Sequence, residues 1–170
     1  MASPSSSLSA FDATRYASLR TFRPDGSWVE TPIWFAREFD HFYFRTGESA
    51  AKIKRIRRNS RVELRPSDYR GRYTSDAPVA FGTACICGDE ERRRGEVHLK
   101  ARYRWQWNII PMIPVPGLSA PHPRLTLKER VARARSKEPL PGTCVLRVDV
   151  ATCSERVEQF VGVTIMLGHR

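Results

Sequence analysis

Short alternating stretches of apolar and polar residues fill the first half of the chain. In the stretch 15–22 (RYASLRTF), Ala17, Leu19 and Thr21 fall on one face, which is typical of a half-buried β-strand. Similar or more uniformly apolar stretches, separated by turn residues such as Pro, Asp and Gly, predict further strands. The predicted strands of this half lie at 15–22, 28–36, 41–46, 61–66 and 78–87.

Pro32 interrupts the second of these strands. Proline has no amide proton to donate to a neighbouring strand. We therefore expect the stretch 28–36 to lie at an edge of the sheet, at a bulge, or where a ligand approaches its backbone.

The pattern changes to helical spacing after the third strand. Ala50, Ile53 and Ile56 fall three residues apart and form one narrow apolar stripe. Ser49 is a suitable N-cap residue just before that stripe. The sequence therefore predicts a short helix that begins at Ser49 and rests on the sheet.

The second half of the chain is helical at first and then returns to β structure. Its predicted elements are a charged helix at 89–107, a proline-rich insert at about 108–123, a helix from Thr126, and strands at 141–150 and 158–167. Thr126 and Glu129 have the spacing of a capping box. In the strand 141–150, Leu146, Val148 and Val150 share the face that we expect to point inward.

The order of these elements predicts the fold class. The first five strands follow one another closely and are joined mainly by hairpins, with one helix between them, which favours an antiparallel barrel over a parallel sheet. We therefore expect a mainly β fold of six or seven antiparallel strands with flanking helices. The 170 residues suit one domain, at 11–170, after a disordered tail at 1–10.

Composition adds a strong positive charge to this picture. The net charge of +11 attracts phosphates, nucleic acid and other polyanions. The longest apolar run, 108–118, is too short and too rich in proline to cross a membrane. The first ten residues do not resemble a secretory signal, so we expect a cytoplasmic protein with reduced cysteines. The spacing of the four cysteines matches no zinc site, and we predict no metal.

The positive charge is concentrated in the segment 44–62, which has seven cations and one acid. Lys52 lies near the start of the predicted helix, where the helix dipole disfavours a cation. One explanation is a solvated basic surface. The other is an anion site, in which Arg45, Thr46, Ser49, Lys52 and the first backbone amides of the helix converge on a phosphate.

The residues of this region also resemble a known family. The motifs are TPIWF at 31–35, then Arg-Thr, S-A-A-K and I-x-x-I-R-R-N-x-R-V within 45–62. Together they resemble the split β-barrel flavin-binding superfamily that includes pyridoxamine 5′-phosphate oxidase. The resemblance is closest to the branch assigned as deazaflavin (coenzyme F420)-dependent enzymes, and it extends from about 16 to 87.

The resemblance implies two groups of cofactor-binding residues. Thr31, Pro32, Ile33 and Trp34 would lie along the flavin ring, although Trp34 also suits a packed aromatic position. Arg45, Thr46, Ser49 and Lys52 would hold the phosphate. No role is implied for Arg57 or Arg58 beyond contact with an acidic cofactor tail or plain exposure to solvent.

The resemblance further implies a function. The chain would be an oxidoreductase that transfers a hydride between coenzyme F420, or alternatively FMN, and a small organic acceptor. It would act as a homodimer with the cofactor between the subunits. We predict no catalytic side chain, since the four histidines are scattered. Two alternatives stay open: a non-catalytic FMN- or haem-binding barrel, and a basic barrel that binds nucleic acid through its charge and its arginine-rich aromatic segments.

Overall fold

The computed structural model describes residues 4–104 and 142–150, with side chains from residue 8 onward. Their elements in chain order are α1 (Pro4–Asp12), β1 (Tyr16–Phe22), β2 (Trp28–Trp34), β3 (Ala36–Glu38), β4 (His41–Gly47), α2 (Ala51–Arg58), β5 (Arg61–Ser67), β6 (Ala80–Ile86), α3 (Asp89–Tyr103) and β7 (Thr143–Val150). Apart from α1 and the division of the stretch 28–36 into β2 and β3, the described strands and helices fall close to where the hydrophobic pattern predicts them.

The strands form one seven-stranded sheet in the order β2-β1-β5-β6-β7-β4-β3. Every neighbouring pair runs antiparallel. The predicted class, a mainly β fold of antiparallel strands with flanking helices, is confirmed. Pro32 lies in β2, at one edge of this sheet, which is one of the three placements expected from its missing amide proton.

The two edge strands are neighbours in the chain. The sequence predicts one strand over 28–36, but the structure has β2 and β3 at opposite ends of the sheet order with only Phe35 between them. The sheet must curl for one residue to join its two edges. The result is an open barrel with a seam at Phe35.

Tyr103, the last residue of α3, holds this seam. The backbone amide of Phe35 donates to the Tyr103 hydroxyl at 2.9 Å, and that hydroxyl lies 2.8 Å from the Phe35 carbonyl oxygen. A buried amide and carbonyl at a break between strands need such partners. The Tyr103 hydroxyl therefore accepts the hydrogen bond of the Phe35 amide, while its single proton is placed between the carbonyl oxygens of Phe35 and Arg15, the second of which lies 2.5 Å away.

The inside of the curled sheet is the main hydrophobic core. Its largest buried side chains come from the strands and from both flanking helices α1 and α2. They include Phe11, Leu19, Phe42, Phe44, Ile53, Leu64 and Leu146. The predicted inward positions Leu146 and Val148 are fully buried, and Val150 packs against the same core.

The beginning of the chain differs from the prediction. Instead of a disordered tail at 1–10, residues Pro4–Asp12 form the helix α1. Phe11 is fully buried and contacts the rings of Phe35 and Phe42 edge-on. Leu8, three residues earlier, packs against the same core. The helical spacing of these two apolar residues is the signal that the serine-rich composition obscured.

The outer face of β3, β4 and β7 is covered by α3. Tyr43, Leu99, Tyr103 and Val145 form a second, smaller apolar cluster there. Gly95 allows this close packing, because a Cβ at that position would lie only 2.7 Å from the Tyr43 ring. Strand β4 is therefore covered on both faces.

Several predicted elements lie outside the described residues. They are the proline-rich insert at 108–123, the helix from Thr126, the strand at 158–167 and the last residues of the helix 89–107. Among the helices that the structure describes, none has the length and apolar character needed to cross a membrane.

Candidate cofactor-binding site

Lys52 occupies the second position of α2. The helix begins at Ala51, its N-cap is Ala50, and no side chain caps its first turn. The expectation that Ser49 is the N-cap is therefore wrong, since the extended residue that starts the helix comes one position later. Ser49 is exposed in the turn before α2.

The Lys52 side chain is buried, with only 9% of the residue exposed. Burial lowers the pKa of its ammonium group to about 8, and the nearby Arg55 disfavours the charge further. In the described part of the chain, no carboxylate forms an ion pair with Lys52. A buried cation without an acid is costly, and an anionic ligand would relieve that cost.

Arg45 faces a different part of the molecule. Along β4, Phe42 and Phe44 point into the main core and Tyr43 points outward, so alternation puts Arg45 on the outer face with α3. Burial lowers the pKa of Arg45 to about 10, while the charge of Glu96 acts in the opposite direction. Arg45 is therefore coupled to an acid of α3.

The predicted phosphate cluster is divided by this arrangement. Thr46 follows Arg45 in the strand and therefore lies on the inner face of the sheet. The charge that acts on Lys52 comes from Arg55, whereas the charges that act on Arg45 come from Glu96 and Arg92. The alternation of the HFYFRT stretch alone is enough to put Arg45 and Thr46 on opposite faces.

Glu96 is a buried residue that sequence reasoning missed. It is 7% exposed, and its carboxylate lies 3.4 Å from Arg92 Nε and 3.6 Å from Lys100 Nζ. Both partners are four residues away on α3, a spacing that the sequence does show. The electrostatic interaction with Arg45 joins residues far apart in the sequence and has no local signal.

The predicted ring-binding residues occupy the edge strand β2. Ile33 is buried in the main core, whereas Trp34 packs against the smaller outer cluster. The Trp34 ring centroid lies 4.3 Å from that of Tyr103. Within the described residues, one side of β2 has no neighbouring strand, so a flat ligand could lie along its backbone.

Two buried donors lie on β1 and β5, in register with Pro32. Ser18 faces Pro32 in the neighbouring strand and faces Arg65 on its other side. Among the described residues, neither the Ser18 hydroxyl nor the Arg65 Nε has a hydrogen-bond partner. The Arg65 guanidinium lies 5.0 Å above the Tyr73 ring. Only the strand register reveals these residues, because nothing in their local sequence marks them.

The solved structures provide the comparison that decides the fold. An FAD-binding protein of Mesorhizobium loti matches with a TM-score of 0.55 and 15% identity, over 89% of this chain and 91% of the other. The haem storage protein of Vibrio cholerae matches with a TM-score of 0.55 and 9% identity, over 89% and 92%. A Listeria innocua protein, provisionally assigned as a pyridoxamine 5′-phosphate oxidase, gives 0.55 and 13%, over 88% and 94%.

This chain has the split β-barrel fold. No protein-family model and no curated protein matches its sequence. Because the identities are low, the likeness establishes the fold of the barrel and leaves its ligand to be argued from the residues.

The remaining charged cluster of the split barrel lies on the outer face near α3. Arg147 binds both Glu91 and Asp149, and Asp149 also accepts a contact of 2.7 Å from His41 Nδ1. Burial raises the pKa of the neighbouring Cys87 thiol to about 12, so it stays protonated at neutral pH. The described residues contain no group of His, Cys, Asp and Glu that could hold a metal ion.

Proposed function

We propose that this split barrel binds a phosphate-bearing flavin-type cofactor and transfers a hydride between that cofactor and a small organic acceptor. The observation that carries the proposal is Lys52, a buried cation with no acid partner among the described residues, at the start of α2. Coenzyme F420 is the proposed cofactor, and FMN is the alternative. The similarity to the FAD-binding protein of Mesorhizobium loti supports a ligand of this type.

The proposed phosphate site contains fewer residues than the sequence indicates. Lys52 and the first backbone amides of α2 would hold the phosphate, with Thr46 on the same inner side of β4. Ser49 is close enough in sequence to join them from the preceding turn. Arg45 would act indirectly, because its charge is already coupled to Glu96.

The ring would lie along the open edge of β2, against the backbone of Thr31–Trp34. When bound, the cofactor would supply the hydride chemistry, and the protein would orient it and exclude water. Trp34 is fixed by its packing on Tyr103 and would form one wall of that position. A homodimer would place a second subunit over this edge, and we include that assembly in the proposal.

Cofactor titration tests this proposal. Tryptophan fluorescence quenching by F420 and by FMN should give a dissociation constant in the micromolar range or below for one of them. Lys52→Ala should weaken binding at least about tenfold, because a charge-assisted hydrogen bond is lost. Lys54→Ala is the matched control, since Lys54 is exposed on the same helix two residues later and should change binding little.

Hydride transfer is then followed by the absorbance of the reduced cofactor after addition of a quinone. Equal effects of the two lysine substitutions would show that the site is not at Lys52. Binding of haem without binding of either flavin would favour the non-catalytic alternative. The similarity to the haem storage protein is the reason for choosing haem as the ligand in this test.

A further inference from the structure

One end of the split barrel carries cations that the proposed cofactor site does not use. They are Arg23, Lys54, Arg55, Arg57, Arg58 and Arg61. Burial and the charge of Arg23 lower the pKa of Arg55, whose Nε donates to Thr21 at 2.8 Å. The helix α2 is thereby attached next to the 23–27 turn, and the cations form one surface, which we call the basic end.

The basic end is not neutralised by its neighbours. Within residues 4–104 and 142–150, none of its six cations takes part in an ion pair. The nearby acids Glu30 and Glu63 both bind Arg20 instead. Asp25 accepts hydrogen bonds from the backbone and hydroxyl of Ser27, and its charge acts on Arg23. With six cations against the charge of Asp25, this part of the surface keeps a strong positive field.

Flat side chains adjoin the basic end on the outer face of β1, β2 and β5. Trp28 is 54% exposed, and the Arg20 guanidinium covers one face of its ring at 4.6 Å. Phe22 pairs with Trp28 across the strands, and the Arg61 guanidinium lies 5.7 Å above the Phe22 ring. Because Arg20 is held by two carboxylates, the Trp28 platform is fixed before any partner arrives.

We propose that the basic end and Trp28 form a binding surface for single-stranded nucleic acid. The cations of α2, exposed at Lys54, Arg57 and Arg58, contact the phosphates. A base stacks on the free face of Trp28, and another on the Arg61 guanidinium. This surface is separate from the buried Lys52 and goes beyond the proposed cofactor role.

Other polyanions fit this surface less well. A duplex keeps its bases stacked inside and has no use for the Trp28 platform. An anionic membrane would use the cations but would also need apolar side chains inserted beside them. Trp28 is the only large apolar side chain at this end that is more than half exposed in the described residues.

Fluorescence anisotropy of a labelled 15-nucleotide oligothymidylate, measured without added cofactor, tests the proposal. For about five phosphate contacts, affinity should fall about 100-fold between 50 and 200 mM salt. Arg57→Ala/Arg58→Ala should reduce the salt slope by about 1.4, since two contacts are lost. The adjacent exposed arginines of α3 provide a matched control, and Arg93→Ala/Arg94→Ala should leave the slope unchanged.

Stacking is tested separately from charge. Trp28→Ala should weaken binding about tenfold at every salt concentration with an unchanged slope, and Trp28→Phe should restore most of the affinity. An unchanged affinity in Trp28→Ala would overturn the proposal, because only a general polyanion surface would remain. Tighter binding to phosphatidylserine vesicles, to duplex DNA or to poly-glutamate than to the oligothymidylate would overturn it as well.

Discussion

The two helices α2 and α3, which follow β4 and β6, differ in whether their cations form ion pairs with acids. On α3 and the strands beneath it, cations are matched by acids: Arg147 binds Glu91 and Asp149, and Arg94 binds Glu38. On α2 there is no acid at all, and the cation at its buried face has a like charge as its neighbour. Both helices pack against the same seven-stranded sheet.

The contrast distinguishes charges that stabilise the fold from charges that are available to bind a ligand. Paired charges on α3 hold that helix to the outer face of the sheet and need nothing further. No acid in the described chain forms an ion pair with the cations of α2. A protein retains such an arrangement at a cost in stability, which is typical of sites where a ligand supplies the missing charge.

The largest effect is expected from breaking a paired charge. Glu96→Gln removes the buried carboxylate that pairs with Arg92 and Lys100 and whose charge acts on Arg45, and the free energy of unfolding at pH 7 should fall by about 3 kcal/mol. Urea denaturation measures this. Glu90→Gln is the matched control, because Glu90 is exposed in the first turn of α3. Equal, small changes in both variants would show that Arg45 does not depend on Glu96.

A smaller effect of opposite sign is expected at the unpaired charge. Lys52→Met replaces a buried cation by an apolar side chain of similar length, and the free energy of unfolding should rise by about 2 kcal/mol. The same variant should lose cofactor binding. Lys54→Met, at an exposed position, should change stability by less than about 0.5 kcal/mol. A destabilised Lys52→Met would mean that Lys52 has a structural partner.

The smallest effect is the pH dependence of that gain. The pKa of Lys52 is about 8 in the folded protein and 10.5 as its ordinary value, so the folded state binds fewer protons between these pH values. The cost of burying the charge is therefore fully present below pH 8 and is lost as pH rises towards 10.5. Between pH 7 and 9, the advantage of Lys52→Met should shrink by about 1 kcal/mol in urea titrations.

Much of the fold could be predicted because its signals are local. Alternating or apolar stretches between turn residues located β1, β4, β5 and β7, and the missing amide proton of Pro32 limited β2 to an edge, a bulge or a ligand contact. The stripe of Ile53 and Ile56 located α2 on the core. The break at Phe35 could not be predicted, since an uninterrupted apolar stretch does not show where a strand leaves one edge of a sheet for the other.

The candidate site was predicted less completely for a related reason. Lys52 could be selected from its place near a helix start, but its burial and its lack of an acid depend on how α2 docks. The separation of Arg45 from Thr46 follows from alternation within one strand, so the sequence did contain it. The link between Arg45 and Glu96 joins residues about fifty positions apart, and no local pattern encodes such a distance.

The seam at Phe35 has a consequence for how the chain folds. The Phe35 amide donates to the Tyr103 side chain, 68 residues further along the sequence. Contacts of such long separation form after the local hairpins, because the entropy of closing a long loop must be overcome first. We therefore expect the barrel to stay open until α3 has docked. The last turn of that helix would then close the sheet at Phe35.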